Sequence, residues 1–196
     1  MTLMALMMSL VALSIDAILP ALPDMGRDLH VSGANDSQLV VSLLFFGLAF
    51  GQVVYGPLSD SIGRKPAVYL GFLFFFIGCF FSIFATNLAT MLFGRFCQGL
   101  GLAGPRVVSV ALIRDQYAGR AMARVMSFVM VIFILVPTIA PALGQGILMV
   151  ANWQAIFWVF LVLGLITVAW FSIRQRETLQ PEGRRPFSLR RILGVV

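Results

Sequence analysis

The chain has 196 residues, of which 60% are hydrophobic and only 11% charged, against roughly half and a quarter in ordinary globular proteins. So few charges cannot cover so much apolar surface in water, which excludes a soluble domain and points to a multispan membrane protein. The +6 formal charge is not gathered on a soluble recognition element, and Cys79 and Cys97 both lie in apolar stretches; a nucleic-acid binder and a disulfide-stapled secreted domain are excluded with it.

A helix needs about 20 mostly apolar residues to cross roughly 30 Å of hydrocarbon. Six segments meet that length: residues 2–22, 38–56, 67–85, 88–112, 125–150 and 154–173. They are continuous apolar runs, not the alternating strands of a membrane barrel. The expected fold is therefore all-α, a polytopic helix bundle over residues 1–173. Residues 174–196 read as a basic cytoplasmic linker, within which residues 187–193 have the pattern of a short helix on an anionic membrane surface.

Orientation follows from the basic residues. Arg64 and Lys65 lie after the second span, Arg114, Arg120 and Arg124 after the fourth, and six arginines after the sixth. That puts eleven of the fourteen Lys and Arg on one side, so both termini are expected in the cytoplasm.

Three ionisable residues fall inside the apolar segments: Asp16, Arg95 and Arg106. Each costs roughly 2.5–3.5 kcal/mol at mid-bilayer and requires a partner or a wet cavity. Counting rise per residue, Asp16 and Arg95 both lie about 10 Å below the outer surface, a depth at which they could pair. Arg95 and Arg106 differ by only about 20° around their helix. With Gln98, Leu102 and Ser109 they form a stripe expected to line a water-filled substrate pathway. On the fifth span Pro137, Pro141 and Gly144 share one face and predict a bend.

The stretch Gly56-Pro57-Leu58-Ser59-Asp60-Ser61-Ile62-Gly63-Arg64-Lys65-Pro66 suits a gating loop. Gly56 would allow close helix approach, Asp60 would cap a facing helix N-terminus, Gly63 would permit a tight turn, and Arg64 would pair with an acid, Lys65 beside it. The stretch resembles the signature of the major facilitator superfamily between helices two and three. Asp16-Ala17-Ile18-Leu19-Pro20 and Arg95-Phe96-Cys97-Gln98-Gly99 resemble first- and fourth-helix motifs of its proton-driven drug exporters. Pro137-Thr138-Ile139-Ala140-Pro141-Ala142-Leu143-Gly144 resembles a degenerate fifth-helix antiporter motif. Asn152-Trp153-Gln154 and Arg114-Asp115 are similar to the bicyclomycin/chloramphenicol-resistance branch.

The resemblance implies six helices arranged as two inverted three-helix repeats, half of a twelve-helix carrier cut before helix seven. It implies proton-coupled efflux of lipophilic small molecules by alternating access at a bacterial inner membrane, with Asp16 and Arg95 in proton coupling. The implied partners are a small-molecule substrate, protons, membrane lipids and a missing C-terminal six-helix half. A nutrient-uptake carrier and a non-transporting membrane fragment are the alternatives. With one His and no nucleophile or metal-ligand constellation, no enzyme, cofactor, metal or nucleic acid is expected.

Overall fold

The computed structural model describes residues 2–31, 33, 36–180 and 184. Its helices are α1 (Thr2–Asp16), α2 (Leu22–Asp28), α3 (Leu39–Ile62), α4 (Arg64–Ile83), α5 (Leu88–Gln116), α6 (Gly119–Leu148) and α7 (Gln154–Arg174), with short 3-10 turns at Leu19–Ala21 and Asp36–Gln38. Counting α1 and α2 as one interrupted stretch, six are long and apolar enough to cross a membrane. The expected surface helix at residues 187–193 lies outside the described residues.

The first span is broken after Asp16 because Pro20 carries no N–H for the Asp16 carbonyl, and its ring crowds that same carbonyl. Where a helix overruns its apolar segment, the reason is the same each time. Hydropathy marks only the length of helix in hydrocarbon, whereas hydrogen bonding continues until a residue stops it. Helix α3 therefore runs through the motif to Ile62, and the expected loop shrinks to Gly63 alone. Helix α5 passes Leu112 to reach Gln116, and α6 starts at Gly119, so Arg114, Arg120 and Arg124 are helical. The starts of α1, α5 and α7 fall where hydropathy puts them; at α5 the Asn87 side chain accepts from the Thr90 N–H at 2.9 Å and caps that end.

The packing is exchanged between the two halves of the chain. Helices α3 and α4 lie against α5, while α6 and α7 lie against α1, and α4 meets α7. Each repeat thus leans its second and third helices on the first helix of the other. Lipid tails are as apolar as leucine, so close backbone approach must supply much of the attraction. Glycines permit it: a Cβ on Gly47 would collide with the Phe96 carbonyl oxygen, and one on Gly99 with that of Leu44. Gly99→Val should therefore force α3 from α5 and cost at least about 2–3 kcal/mol, read as lost monodisperse yield and a lowered melting temperature in detergent. Gly56→Ala should be silent, because no atom of the described residues lies within 4 Å of the added carbon. The close helix approach expected at Gly56 is not found among the described residues.

Helix α6 is the least covered of the six spans. It buries only Val125, Val129, Ala140 and Gly144, and leaves Ile134, Leu135, Ile139 and Leu143 exposed. It runs without interruption through Pro137 and Pro141.

Candidate functional site

Gly63 stands between α3 and α4 with φ +108°, a conformation glycine tolerates and other residues resist. The turn brings Arg64 back over the end of α3. Its guanidinium is nearly buried and donates to Asp60 Oδ1 at 2.6 Å, Ser59 Oγ at 2.8 Å and Asp115 Oδ2 at 3.1 Å. Arg64 thus finds acidic partners, as its place in the motif predicts, and joins α3, α4 and α5.

The cap of α4 is a different residue from the one expected. Glu177, beyond α7, accepts from the backbone N–H of Arg64 at 3.0 Å and of Lys65 at 2.9 Å. Among the described residues no backbone N–H reaches Asp60, whose carboxylate is held by Arg64. Thr178 donates to Asp115 Oδ2 at 3.0 Å, and Lys65 Nζ donates to the Ser172 carbonyl at 3.2 Å. The segment after α7 is therefore clasped across the ends of α4 and α5.

Burial raises the pKa of Glu177, but N–H donors from Leu179, Lys65, Arg64 and Thr178 outweigh it and hold the carboxyl below its ordinary value. A depressed folded pKa stabilises above the unfolded value and is lost as pH falls through the folded one. The clasp should consequently loosen as pH drops below about 4.5. Glu177→Gln should speed hydrogen exchange at the Arg64 and Lys65 amides severalfold near neutral pH and remove the acid dependence of their protection relative to the intrinsic rate.

Above this corner lies a cavity of about 810 Å³, walled by Met8 of α1, Gln52 and Asp60 of α3, Arg106 and Arg114 of α5, and Met130 of α6. Arg106 is half-buried, with its guanidinium carbon 5.7 Å from the Phe133 ring centroid.

The rest of the expected polar stripe does not line this cavity. Arg95, Gln98, Leu102 and Ser109 are all fully buried between helices. Gln98 donates to Cys79 Sγ at 3.3 Å, and Ser109 sits 3.8 Å from Met7 Sδ. Angular position around α5 predicted one face, but α1, α3 and α4 cover that face everywhere except at Arg106.

The expected Asp16–Arg95 pair is not formed. Arg95 donates Nε to the Val40 carbonyl at 3.0 Å, Nη2 to the Ser14 carbonyl at 3.0 Å and Nη1 to Gln98 Oε1 at 2.6 Å, with Phe157 5.8 Å from its guanidinium carbon. The reason is the break at Pro20. Ending α1 at Asp16 frees the last carbonyls of the helix, where partial negative charge gathers and a cation is favoured. Pro20, four residues after Asp16, was the available signal.

Asp16 is half-buried and has neither an ion pair nor a side-chain hydrogen bond among the described residues. It stands where α6 crosses the end of α1, since a Cβ on Gly144 would collide with the Ala17 carbonyl and come within 3.2 Å of the Pro20 ring. The first-helix and fifth-helix motifs therefore meet. At the same end Trp153 Nε1 donates to Asp28 Oδ2 at 2.8 Å, tying α2 to the start of α7.

A six-helix bundle with exchanged repeats and a polar cavity at one end is the architecture of half a membrane carrier. The chain belongs to the Major Facilitator Superfamily, whose family model matches residues 4–195. It is 35% identical over 179 residues to the uncharacterized MFS-type transporter YdgK of Bacillus subtilis, covering 90% of this chain and 44% of the relative. It is 34% identical over 180 residues to a bicyclomycin resistance protein homolog of Haemophilus influenzae, covering 89% and 44%. Multidrug resistance protein MdtL of Escherichia coli is 33% identical over 169 residues, covering 85% and 43%. The fold is also that of the human organic anion transporter MFSD10, with a TM-score of 0.75 at 20% identity, over 100% of this chain and 52% of that one. The chain thus spans less than half the length of the curated relatives it matches.

Proposed function

We propose that the chain is the N-terminal half of a secondary active exporter that expels lipophilic small molecules in exchange for protons. On this reading the bundle lies in a bacterial inner membrane with its arginine-rich end in the cytoplasm, as the distribution of basic residues favours. A second six-helix half covers the apolar faces of α3 and α6 and completes the pathway. Alternating access rocks the two halves about it, and the Gly56–Lys65 corner with its clasp keeps α3, α4 and α5 together as one body.

The observation that carries the reading is Asp16. It is a half-buried carboxylate with no bonded partner among the described residues, placed where α1 meets the proline-bearing α6. Such a group can take up and release a proton without first breaking an ion pair. Arginine cannot titrate in this role, so Arg95 contributes by fixing the end of α1 that carries Asp16.

The test uses full-length protein in vesicles loaded with bicyclomycin, the compound that names one relative. Export should follow an imposed pH gradient and stop when nigericin collapses it. Export undiminished by nigericin would overturn proton coupling. No export under any gradient would return the chain to the uptake or non-transporting readings.

A further inference from the structure

The cavity at the arginine-rich end has an uneven charge balance. Arg64, Arg106 and Arg114 line it against two carboxylates, Asp60 and Asp115. Both carboxylates are bonded to Arg64, and Asp115 also accepts from Thr178. Neither Arg106 nor Arg114 forms an ion pair or donates a side-chain hydrogen bond among the described residues.

Their spacing adds direction. Arg106, Val110 and Arg114 recur at i, i+4 and i+8 on α5 and all line the cavity, so the backbone positions of the two arginines stand about 12 Å apart along the helix axis. Arg114 is exposed at the mouth and Arg106 half-buried deeper in. Phe133 covers one face of the Arg106 guanidinium and leaves the N–H edge, five donors in a planar fork, for another acceptor. The same cavity has an apolar share of wall in Met8, Val107 and Met130, beside the polar Gln52 and Ser59. Methionine side chains adapt to differently shaped apolar groups. Positive charge inside low-dielectric walls concentrates anions and repels cations.

We propose that this cavity binds amphiphilic organic anions, the acidic group seated on Arg106 and the apolar body between Met8 and Met130, with Arg114 as the first point of capture. The inference rests on the carrier reading for its biological sense and names a substrate class for it. The acidic group can belong to a soluble carboxylate or to the headgroup of an anionic lipid, because both offer oxygens to the same fork.

The probe is 2-naphthoate, with 2-naphthalenemethanol as its neutral match, measured by equilibrium dialysis on purified full-length protein. Arg106→Gln should weaken naphthoate binding at least about tenfold, the scale of a lost charge-assisted fork, and leave naphthalenemethanol within about twofold. Arg106→Lys keeps the charge without the fork and should fall in between, which also covers the case that Arg106→Gln fails to fold. Unchanged naphthoate affinity in both variants overturns the proposal, as does an equal loss for the neutral compound. Competition by dihexanoylphosphatidylglycerol that depends on Arg106 supports the site and assigns it to a lipid headgroup. Arg106-dependent naphthoate binding without such competition supports it and assigns a soluble anion. The two readings separate in vesicles. Gradient-driven bicyclomycin export with naphthoate binding indifferent to Arg106 overturns only the site. Arg106-dependent binding with no gradient-driven export overturns only the export reading.

Discussion

Asp16→Asn is expected to reduce gradient-driven export by the full-length carrier to the level seen with the gradient collapsed, while the protein still folds, inserts and binds substrate. Asparagine keeps the shape and polarity of the side chain and removes its proton exchange. Had Asp16 been locked to Arg95, the same change would have left a buried guanidinium without its counter-charge, a loss of several kcal/mol. Arg95 bonds instead to the Val40 and Ser14 carbonyls and to Gln98. The stability change should therefore stay near 0.5 kcal/mol, about the size seen at sites that lose no packing or bonding partner. Proton release on adding substrate to purified protein is the decisive measurement. Equal release from wild type and Asp16→Asn would deprive Asp16 of the role.

Arg95→Met should behave in the opposite way, with a large loss of stability. Three hydrogen bonds vanish from a wholly buried site, and two backbone carbonyls lose their donor where water cannot replace it. A cost of about 3–5 kcal/mol is expected, or roughly 10 °C in apparent melting temperature. Arg95→Lys, with charge but no fork, should fall between Met and wild type. The pair of variants also separates positioning from proton transfer. Any folded fraction of Arg95→Lys should still release protons, with its pH profile unmoved. A shifted profile in that variant would bring Arg95 into the coupling step itself.

The order of the apolar segments was legible in the sequence because a bilayer imposes a length that continuous hydrophobic runs reveal. Helix ends were not. Past Gly56 and Leu112 the residues are too polar for hydrocarbon, yet α3 and α5 continue to Ile62 and Gln116, because backbone hydrogen bonds need no apolar side chains. The motif around Gly63 could be found as a pattern, and Gly63 as its turn. Its cap could not, since Glu177 lies 113 positions from Arg64 within a basic run that reads as a solvated linker. An acid among arginines, followed by Thr178, was the only trace. Arg95 failed in a similar way. Its partners are carbonyls on α1 and α3, and sequence patterns do not show a carbonyl until the break that frees it is recognised.

The partners of Arg95 also bear on how the chain is made. Synthesis proceeds from the N-terminus, and an arginine entering hydrocarbon alone costs roughly 2.5–3.5 kcal/mol on insertion scales. Ser14 and Val40 both precede Arg95, so the ribosome has delivered α1 and α3 before α5 reaches the membrane. The broken end of α1 is already waiting as an acceptor, and α5 can leave the translocon onto a prepared surface. Gln98 arrives on α5 itself, and Phe157, on a later helix, only closes the site from outside. A circular permutant that moved α1 behind α7 would keep every contact of the finished fold and reverse this order, leaving Arg95 to enter the bilayer before the Ser14 carbonyl existed.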